Sequence, residues 1–156
     1  MPKSGDVLFY KDFEFEDRSK SNKLFIVLCS DSYCLVLKTT SDKLGFYQGV
    51  KQGCNPQRKV FLIPKEEKEG FPLDTYVQFP HLIEISVPEL LRGGISRKIE
   101  IMSQPISSKC LRMILDCLKY FKDDISPEHW EQIFSGVPNT PSTDSLKELA
   151  LKFKTR

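Results

Sequence analysis

The first part of the chain, up to about residue 102, has the pattern of short β-strands. In residues 99–101 two isoleucines flank a glutamate, an alternation typical of a strand with one buried side and one solvent-facing side. Residues 24–28 and 34–37 are apolar without interruption, as in central strands covered on both sides. The predicted strands are residues 5–10, 23–28, 34–38, 59–63, 75–79, 82–86 and 98–102.

From Ser107 onward the spacing of apolar residues becomes helical. Ser126, Pro127 and Glu128 combine a capping hydroxyl, a proline suited to the first turn and an acidic residue, so they predict the start of a second helix. Gly136 is its predicted end. The apolar stripe of the first helix, which we expect to lie on the sheet, consists of Leu111, Ile114, Leu115, Leu118 and Phe121.

These elements predict an α+β fold, in which C-terminal helices pack on a small curled antiparallel sheet or a partly open β-barrel. Residues 1–121 would form the β-domain and its closing helix, and residues 122–156 a helical extension with a linker at about 135–145. A last apolar stripe, residues 146–153, either folds back on the domain or binds a partner.

Composition adds few restrictions. The chain has 156 residues, 40% hydrophobic and 28% charged, as in ordinary globular proteins. With a net charge of only +2, binding to nucleic acid requires a local basic patch. The five irregularly spaced cysteines, and the lack of an apolar run as long as a signal peptide or membrane span, predict reduced packing cysteines in a cytoplasmic protein without a membrane partner.

The common catalytic motifs are missing from the sequence. It contains no phosphate-binding loop ending in Gly-Lys-Ser/Thr, no paired histidines on a helix, no nucleophile elbow and no close cysteine doublet for zinc. We therefore expect no metal and no cofactor. His81 and His129, the two histidines, are predicted to be surface residues.

Polar residues gather where two predicted central strands end. Lys23 opens one strand, and Thr39, Thr40 and Ser41 close the next. If these strands are neighbours, one ammonium group and several hydroxyls share a rim of the sheet, and together they suit a phosphodiester.

The loop after this rim is both basic and aromatic. Lysines that hold phosphates and rings that stack on unpaired bases are the usual means of binding single-stranded RNA. The alternative is a long flexible loop whose aromatic residues cover the core. The residues predicted to bind RNA are Ser41, Lys43, Phe46, Tyr47, Lys51 and Arg58.

Three segments resemble the MazF/PemK/Kid-type toxin family. They are GDVLFYKDFEFEDRSKSNKLFIVLCSD near the N-terminus, the KTTSDK stretch, and the segment that runs from LIEIS through KIEIM to the closing helix. In pieces, the resemblance covers about residues 5–120. It implies an SH3-like barrel and a homodimeric endoribonuclease that cleaves single-stranded RNA and is blocked by a cognate antitoxin protein. In the third segment it implies a short turn between strands 82–86 and 98–102.

The resemblance also implies residue roles. The family's catalytic arginine falls on Lys23 and its active-site threonine on Thr39, with Thr40 as the polar neighbour. Cleavage would be metal-independent attack of the ribose 2′-hydroxyl on the adjacent phosphate. Lysine in place of arginine replaces a rigid two-pronged donor by a flexible point charge. Asp74 is a candidate for an additional carboxylate.

Two other functions fit the same sequence. One is a catalytically silent SH3-like module that binds proteins, and the other is a nucleic-acid-binding regulator that does not cut. RNA cleavage, salt-sensitive RNA retention without cleavage, or neither would distinguish the three.

Overall fold

A computed structural model describes residues 1–42 and 44–134. Within these ranges the chain forms seven β-strands and three α-helices, together with short 3-10 turns. The strands are β1 (Val7–Glu14), β2 (Lys20–Ser30), β3 (Tyr33–Thr40), β4 (Gly53–Asn55), β5 (Val60–Ile63), β6 (Thr75–Ser86) and β7 (Ile99–Ile101). The helices are α1 (Val87–Ser96), α2 (Ser108–Leu118) and α3 (Pro127–Phe134).

The strands form one antiparallel sheet in the order β4-β5-β6-β3-β2-β1-β7. Within the described residues β4 and β7 are its two edges, so the sheet is open and not closed into a barrel. The predicted α+β class with an antiparallel sheet is confirmed. β2 and β3 lie at the centre, and residues 25–28 and 34–37 are buried, as their uninterrupted apolar runs predict.

One side of the sheet packs against α1. Its core consists of Leu8, Tyr10, Phe25, Val27, Cys34, Val36 and Ile85 from four strands, together with Leu90 of α1 and Ile99 of β7. α1 approaches β7 closely because Gly93 has no side chain: a Cβ built there would lie 2.5 Å from the Ile99 side chain. The hydroxyl group of Tyr10 donates a hydrogen bond to the carboxylate of Glu89.

The predicted helix from Ser107 onward is confirmed as α2. The Ser107 hydroxyl caps it by accepting a hydrogen bond from the Cys110 amide at 3.0 Å. Ile114 and Leu118, both from the predicted stripe, are fully buried. After α2, Phe121 stacks on Phe79 of β6 with ring centroids 5.4 Å apart.

Three features differ from the sequence-based expectation. The short turn expected after residue 86 is wrong, because this segment forms α1, capped by the Ser86 hydroxyl. Residues 75–79 and 82–86 are a single strand, β6, which passes through a cis Phe79–Pro80 bond. β4, a three-residue edge strand in the predicted loop, was not predicted.

The expectation that all cysteines are reduced is also wrong. Cys54 of β4 and Cys117 of α2 form a disulfide, with Cα atoms 5.5 Å apart. The sequence gives no signal for this pair, because its members lie 63 residues apart. Cys29, Cys34 and Cys110 are free thiols.

The chain divides into two compact units after Asp124. Within the described residues, the second unit contains α3, whose start is capped by the Ser126 hydroxyl accepting from the His129 amide at 3.1 Å, as predicted. Gly136, the linker and the apolar stripe at 146–153 lie outside the described residues. None of the helices described has the length and apolar character needed to span a membrane.

Candidate functional site

A cavity of about 680 Å³ opens where β2 begins and β3 ends. Its walls are these strand ends, the loop after β3 and the segment around the start of β6. It is lined by Ser21, Asn22, Lys23, Leu24, Thr39, Thr40, Ser41, Asp42, Leu44, Phe46, Tyr47, Pro72, Leu73, Thr75 and Gln78.

The structure brings most of the predicted site residues to this cavity. Lys51 and Arg58 are not among its lining residues, and Lys43 lies outside the described residues. Those that line it are Lys23, Thr39, Thr40, Ser41, Phe46 and Tyr47.

The strand register separates the two threonines. Phe25 pairs with Lys38, so the same antiparallel register, extended by two residues, places Lys23 opposite Thr40. Directly opposed residues point to the same side of a sheet and successive residues to opposite sides. Lys23 and Thr40 therefore share one side, and Thr39 points to the other.

The hydroxyl of Thr39 has a structural partner. Its Oγ1 donates a hydrogen bond of 2.7 Å to the main-chain carbonyl of Leu24, and Thr39 is only 3% exposed. This bond connects the ends of β2 and β3. Because its hydroxyl proton is used in this bond, Thr39 can only accept a hydrogen bond from a ligand. Thr40 is half-buried and therefore more exposed to solvent than Thr39.

The ammonium group of Lys23, a cavity-lining residue, lies beside an aromatic ring that is not part of the lining. Its Nζ is 5.6 Å from the centroid of Phe15, the residue that follows β1. Lys38 Nζ is also 5.6 Å from that centroid. The positive charge of the site therefore lies on the side of the sheet that carries Lys23 and Thr40.

The loop after β3 is held in shape by its own polar groups. The carboxylate of Asp42 accepts hydrogen bonds from the amides of Phe46, at 2.7 Å, and Tyr47. Arg58 donates to the Phe46 carbonyl at 2.6 Å, and its guanidinium lies 5.9 Å from the Tyr47 ring centroid. These contacts give Arg58 a role in supporting the loop, a role that its sequence position did not reveal.

The two aromatic residues of the loop differ in what they can bind. Tyr47 is buried, stacks on Tyr76 at 4.9 Å and accepts a hydrogen bond from the Gln78 side chain at 2.9 Å, so its ring belongs to the wall. Burial raises the pKa of Tyr76, and the nearby carboxylates of Asp42 and Asp74 raise it further by a smaller amount. Phe46 is 73% exposed and is the ring able to stack on a ligand.

Apolar side chains also line the cavity. Leu44 is 96% exposed and Leu73 is 51% exposed, and both line the cavity together with Phe46. Neither leucine was predicted as a site residue, since an isolated leucine in a polar loop carries no recognisable signal. The lining therefore combines polar and apolar side chains.

No histidine lines the cavity in the described part of the chain, where we also find no cluster of three or more His, Cys, Asp or Glu side chains able to hold a metal. Asp74, the candidate carboxylate, is not among the lining residues, and its side chain accepts the Lys65 amide at 3.0 Å. Lys23 brings an ammonium group to the lining, and Thr40 and Ser41 bring hydroxyl groups, all of which are hydrogen-bond donors. Neither a protein-family model nor a curated protein matches the chain.

Proposed function

We propose that the protein is an endoribonuclease of the MazF/PemK/Kid type that cleaves single-stranded RNA in the cavity at the start of β2 and the end of β3. The observation that carries the proposal is the convergence of Lys23, Thr40, Ser41 and the exposed Phe46 on one cavity. The first three suit a phosphate and the fourth suits an unpaired base.

The proposed reaction needs no metal. The ribose 2′-oxygen attacks the adjacent phosphorus and the bond from phosphorus to the 5′-oxygen breaks. The 2′-hydroxyl loses its proton and the leaving 5′-oxygen gains one, so the products are a 2′,3′-cyclic phosphate and a 5′-hydroxyl end. Lys23 offsets the negative charge that develops on the phosphate, and the hydroxyls of Thr40 and Ser41 orient its oxygens.

Thr39, the residue onto which the family's active-site threonine falls, receives a positioning role in this proposal. Its hydrogen bond to the Leu24 carbonyl fixes the spacing of the two strand ends that carry Lys23 and Thr40. Lysine at position 23 makes a less rigid phosphate contact than arginine, so we infer a slow enzyme whose rate rises in Lys23→Arg.

The proposal extends to partners and location. A toxin of this type is a homodimer in the cytoplasm, blocked by a cognate antitoxin protein. A reducing cytosol favours free thiols over the Cys54–Cys117 bridge. Assays should therefore be run both with and without reductant.

A second candidate is RNA binding without cleavage. It is favoured by the Thr39 hydroxyl, whose proton is already donated to a carbonyl, and by the absence of histidine from the lining in the described residues. The ammonium group of Lys23 and the exposed ring of Phe46 suffice to hold RNA. Cleavage also requires proton transfer.

The test is incubation of the purified protein with mixed RNA, followed by mapping of the cut ends. We expect 2′,3′-cyclic phosphate and 5′-hydroxyl ends, strongly reduced cleavage in Lys23→Ala and faster cleavage in Lys23→Arg. Lys65→Ala is the matched control, because Lys65 is exposed and does not line the cavity.

Other outcomes separate the alternatives. Intact RNA retained in a salt-sensitive manner would support binding without cleavage. RNA that is neither cut nor retained would overturn both, and would leave the catalytically silent protein-interaction module.

A further inference from the structure

A second aromatic ring, Phe15, lies beside the cavity with two ammonium groups. Lys23 and Lys38 each place Nζ 5.6 Å from the Phe15 ring centroid. Lys23 also lines the cavity, so the two features share one residue. Phe15 itself is half-buried and is not among the cavity's lining residues.

The backbone at Phe15 is fixed by a tight turn. Its amide donates to the Ser19 carbonyl at 2.9 Å, and its carbonyl accepts from the Arg18 amide at 2.8 Å. Arg18 adopts the left-handed conformation that such a turn requires, with φ of 69°. The ring is therefore carried by an ordered hairpin between β1 and β2.

The ring is also supported from within the sheet. Phe13 makes edge contacts with Phe15 at 5.2 Å and with Phe25, a fully buried residue, at 5.0 Å. These contacts connect Phe15 to the core that α1 covers. A ring held in this way can stack on a ligand without first losing much conformational freedom.

The charged groups placed at the ring are ammonium groups, and the carboxylates next to Phe15 in the chain, Glu14 and Glu16, are exposed to solvent. In the part of the chain that the structure describes, no carboxylate forms an ion pair with Lys38. Two ammonium groups converge on Phe15, and Lys38 is not neutralised by an acidic side chain. A site of this kind favours an anion that also carries a flat ring, and a nucleotide is such a ligand.

We propose that single-stranded RNA continues from the cavity across Lys23 to Phe15, where a further base stacks and where Lys38 holds its phosphate. This inference rests on the proposed RNA-binding function and deepens it, because it assigns a second nucleotide position outside the cavity. The RNA segment in contact with the protein is then longer than the cavity alone can hold. The hairpin between β1 and β2 is part of the RNA-binding surface.

The test measures fluorescence anisotropy with labelled 2′-O-methyl oligonucleotides, which cannot undergo 2′-hydroxyl attack. A dinucleotide is compared with an eight-nucleotide strand. We expect Phe15→Leu to weaken binding of the longer strand by about 5- to 150-fold, the range for loss of one base–aromatic stack. Binding of the dinucleotide stays nearly unchanged, and Phe15→Tyr retains the affinity.

Lys38→Gln provides an independent measurement. It reduces the slope of log affinity against log salt by about 0.7 for the longer strand, the value for one phosphate contact on a single strand. Lys65→Gln is the matched control and leaves the slope unchanged. Because Lys38 is half-exposed, this variant tests the path even if Phe15→Leu fails to fold.

The outcomes distinguish this inference from the function on which it rests. If Phe46→Leu weakens binding of both oligonucleotides while Phe15→Leu and Lys38→Gln change neither, the extended path is wrong and RNA binding in the cavity stands. If the unmodified protein binds neither oligonucleotide, both proposals are overturned.

Discussion

At the scale of single residues, the two adjacent threonines are expected to have different roles. Thr39→Val removes the hydrogen bond to the Leu24 carbonyl at a position that is only 3% exposed. It should lower the free energy of unfolding by about 1 kcal/mol, because one buried hydrogen bond is lost with little change of shape. Thr40→Val should leave stability nearly unchanged and weaken RNA binding. Urea unfolding and anisotropy measure the two effects.

The opposite pattern would reverse these roles. If Thr39→Val unfolds at the same urea concentration as the unmodified protein but no longer binds RNA, then Thr39 contacts the ligand directly. The strand register would in that case be a poor guide to the side of the sheet on which RNA lies.

The free cysteines should be unreactive according to their burial. Burial raises the pKa of Cys34 and of Cys110 to about 12 each, and it also raises the pKa of the half-buried Cys29. The thiolate is the reactive form, so in folded protein at pH 8 we expect iodoacetamide to modify Cys29 first and to spare the other two. Mass spectrometry of the alkylated peptides measures this order.

The same pKa shifts have a defined effect on stability. An unfolded cysteine, with its ordinary pKa near 9, loses its proton before the folded one does. The contribution of Cys34 and Cys110 is thus fully present below pH 9 and falls as the pH rises from 9 to 12. Rapid alkylation of Cys110 in the folded state would show that α2 opens far more readily than its burial implies.

At the scale of elements, two neighbouring glycines of α1 make a matched pair. At Gly93 a Cβ would lie 2.5 Å from Cγ1 and 2.9 Å from Cβ of Ile99, whereas at Gly94 it would meet nothing within 4 Å. Gly93→Ala should therefore destabilise the protein, since α1 must move away from β7. Gly94→Ala should stabilise it by about 0.5–1 kcal/mol, the usual gain of alanine over glycine within a helix.

Thermal or urea unfolding of both variants checks this packing. Equal stabilisation by the two substitutions would mean that α1 does not rest on Ile99. The comparison is informative because both variants make the same chemical change one residue apart.

The elements also show what the sequence could predict. β2, β3 and α2 were predicted because their apolar patterns are long and regular. α1 was missed: it is short, contains two glycines, and depends on the Ser86 cap and on Leu90 packing into the core. β4 has no apolar pattern, and pairing with β5 and the bridge to α2 define it.

The candidate site was predictable to a similar degree. Consecutive antiparallel strands bring Lys23 and the threonines to one end of the sheet, as their positions at the strand ends indicated. The side on which each residue points depends on the pairing register, which the sequence does not specify. The supporting roles of Tyr47 and Arg58 depend on tertiary contacts with Tyr76 and the Phe46 carbonyl.

At the scale of the whole molecule, the disulfide connects the loop side of the sheet to α2. The bridge joins residues 63 positions apart, and the chain-entropy model gives about 4 kcal/mol for a loop of that length. Reduction, or Cys54→Ser, should lower the free energy of unfolding by up to this amount. Cys54 is the better position to change, because Cys117 is only 1% exposed.

Opening the bridge should also affect the cavity. The Asn55 side chain, next to Cys54, accepts the Lys51 amide at 3.1 Å and donates to the Lys51 carbonyl at 2.7 Å, so an anchored β4 holds the end of the loop that carries Phe46. Reductant should weaken RNA binding by the unmodified protein. Cys54→Ser should bind equally weakly with and without reductant, and this variant therefore controls for effects of the reductant itself. If the unmodified protein binds RNA with the same affinity in both conditions, the contacts of Asp42 and Arg58 hold the cavity wall without the bridge, and the disulfide contributes to stability alone.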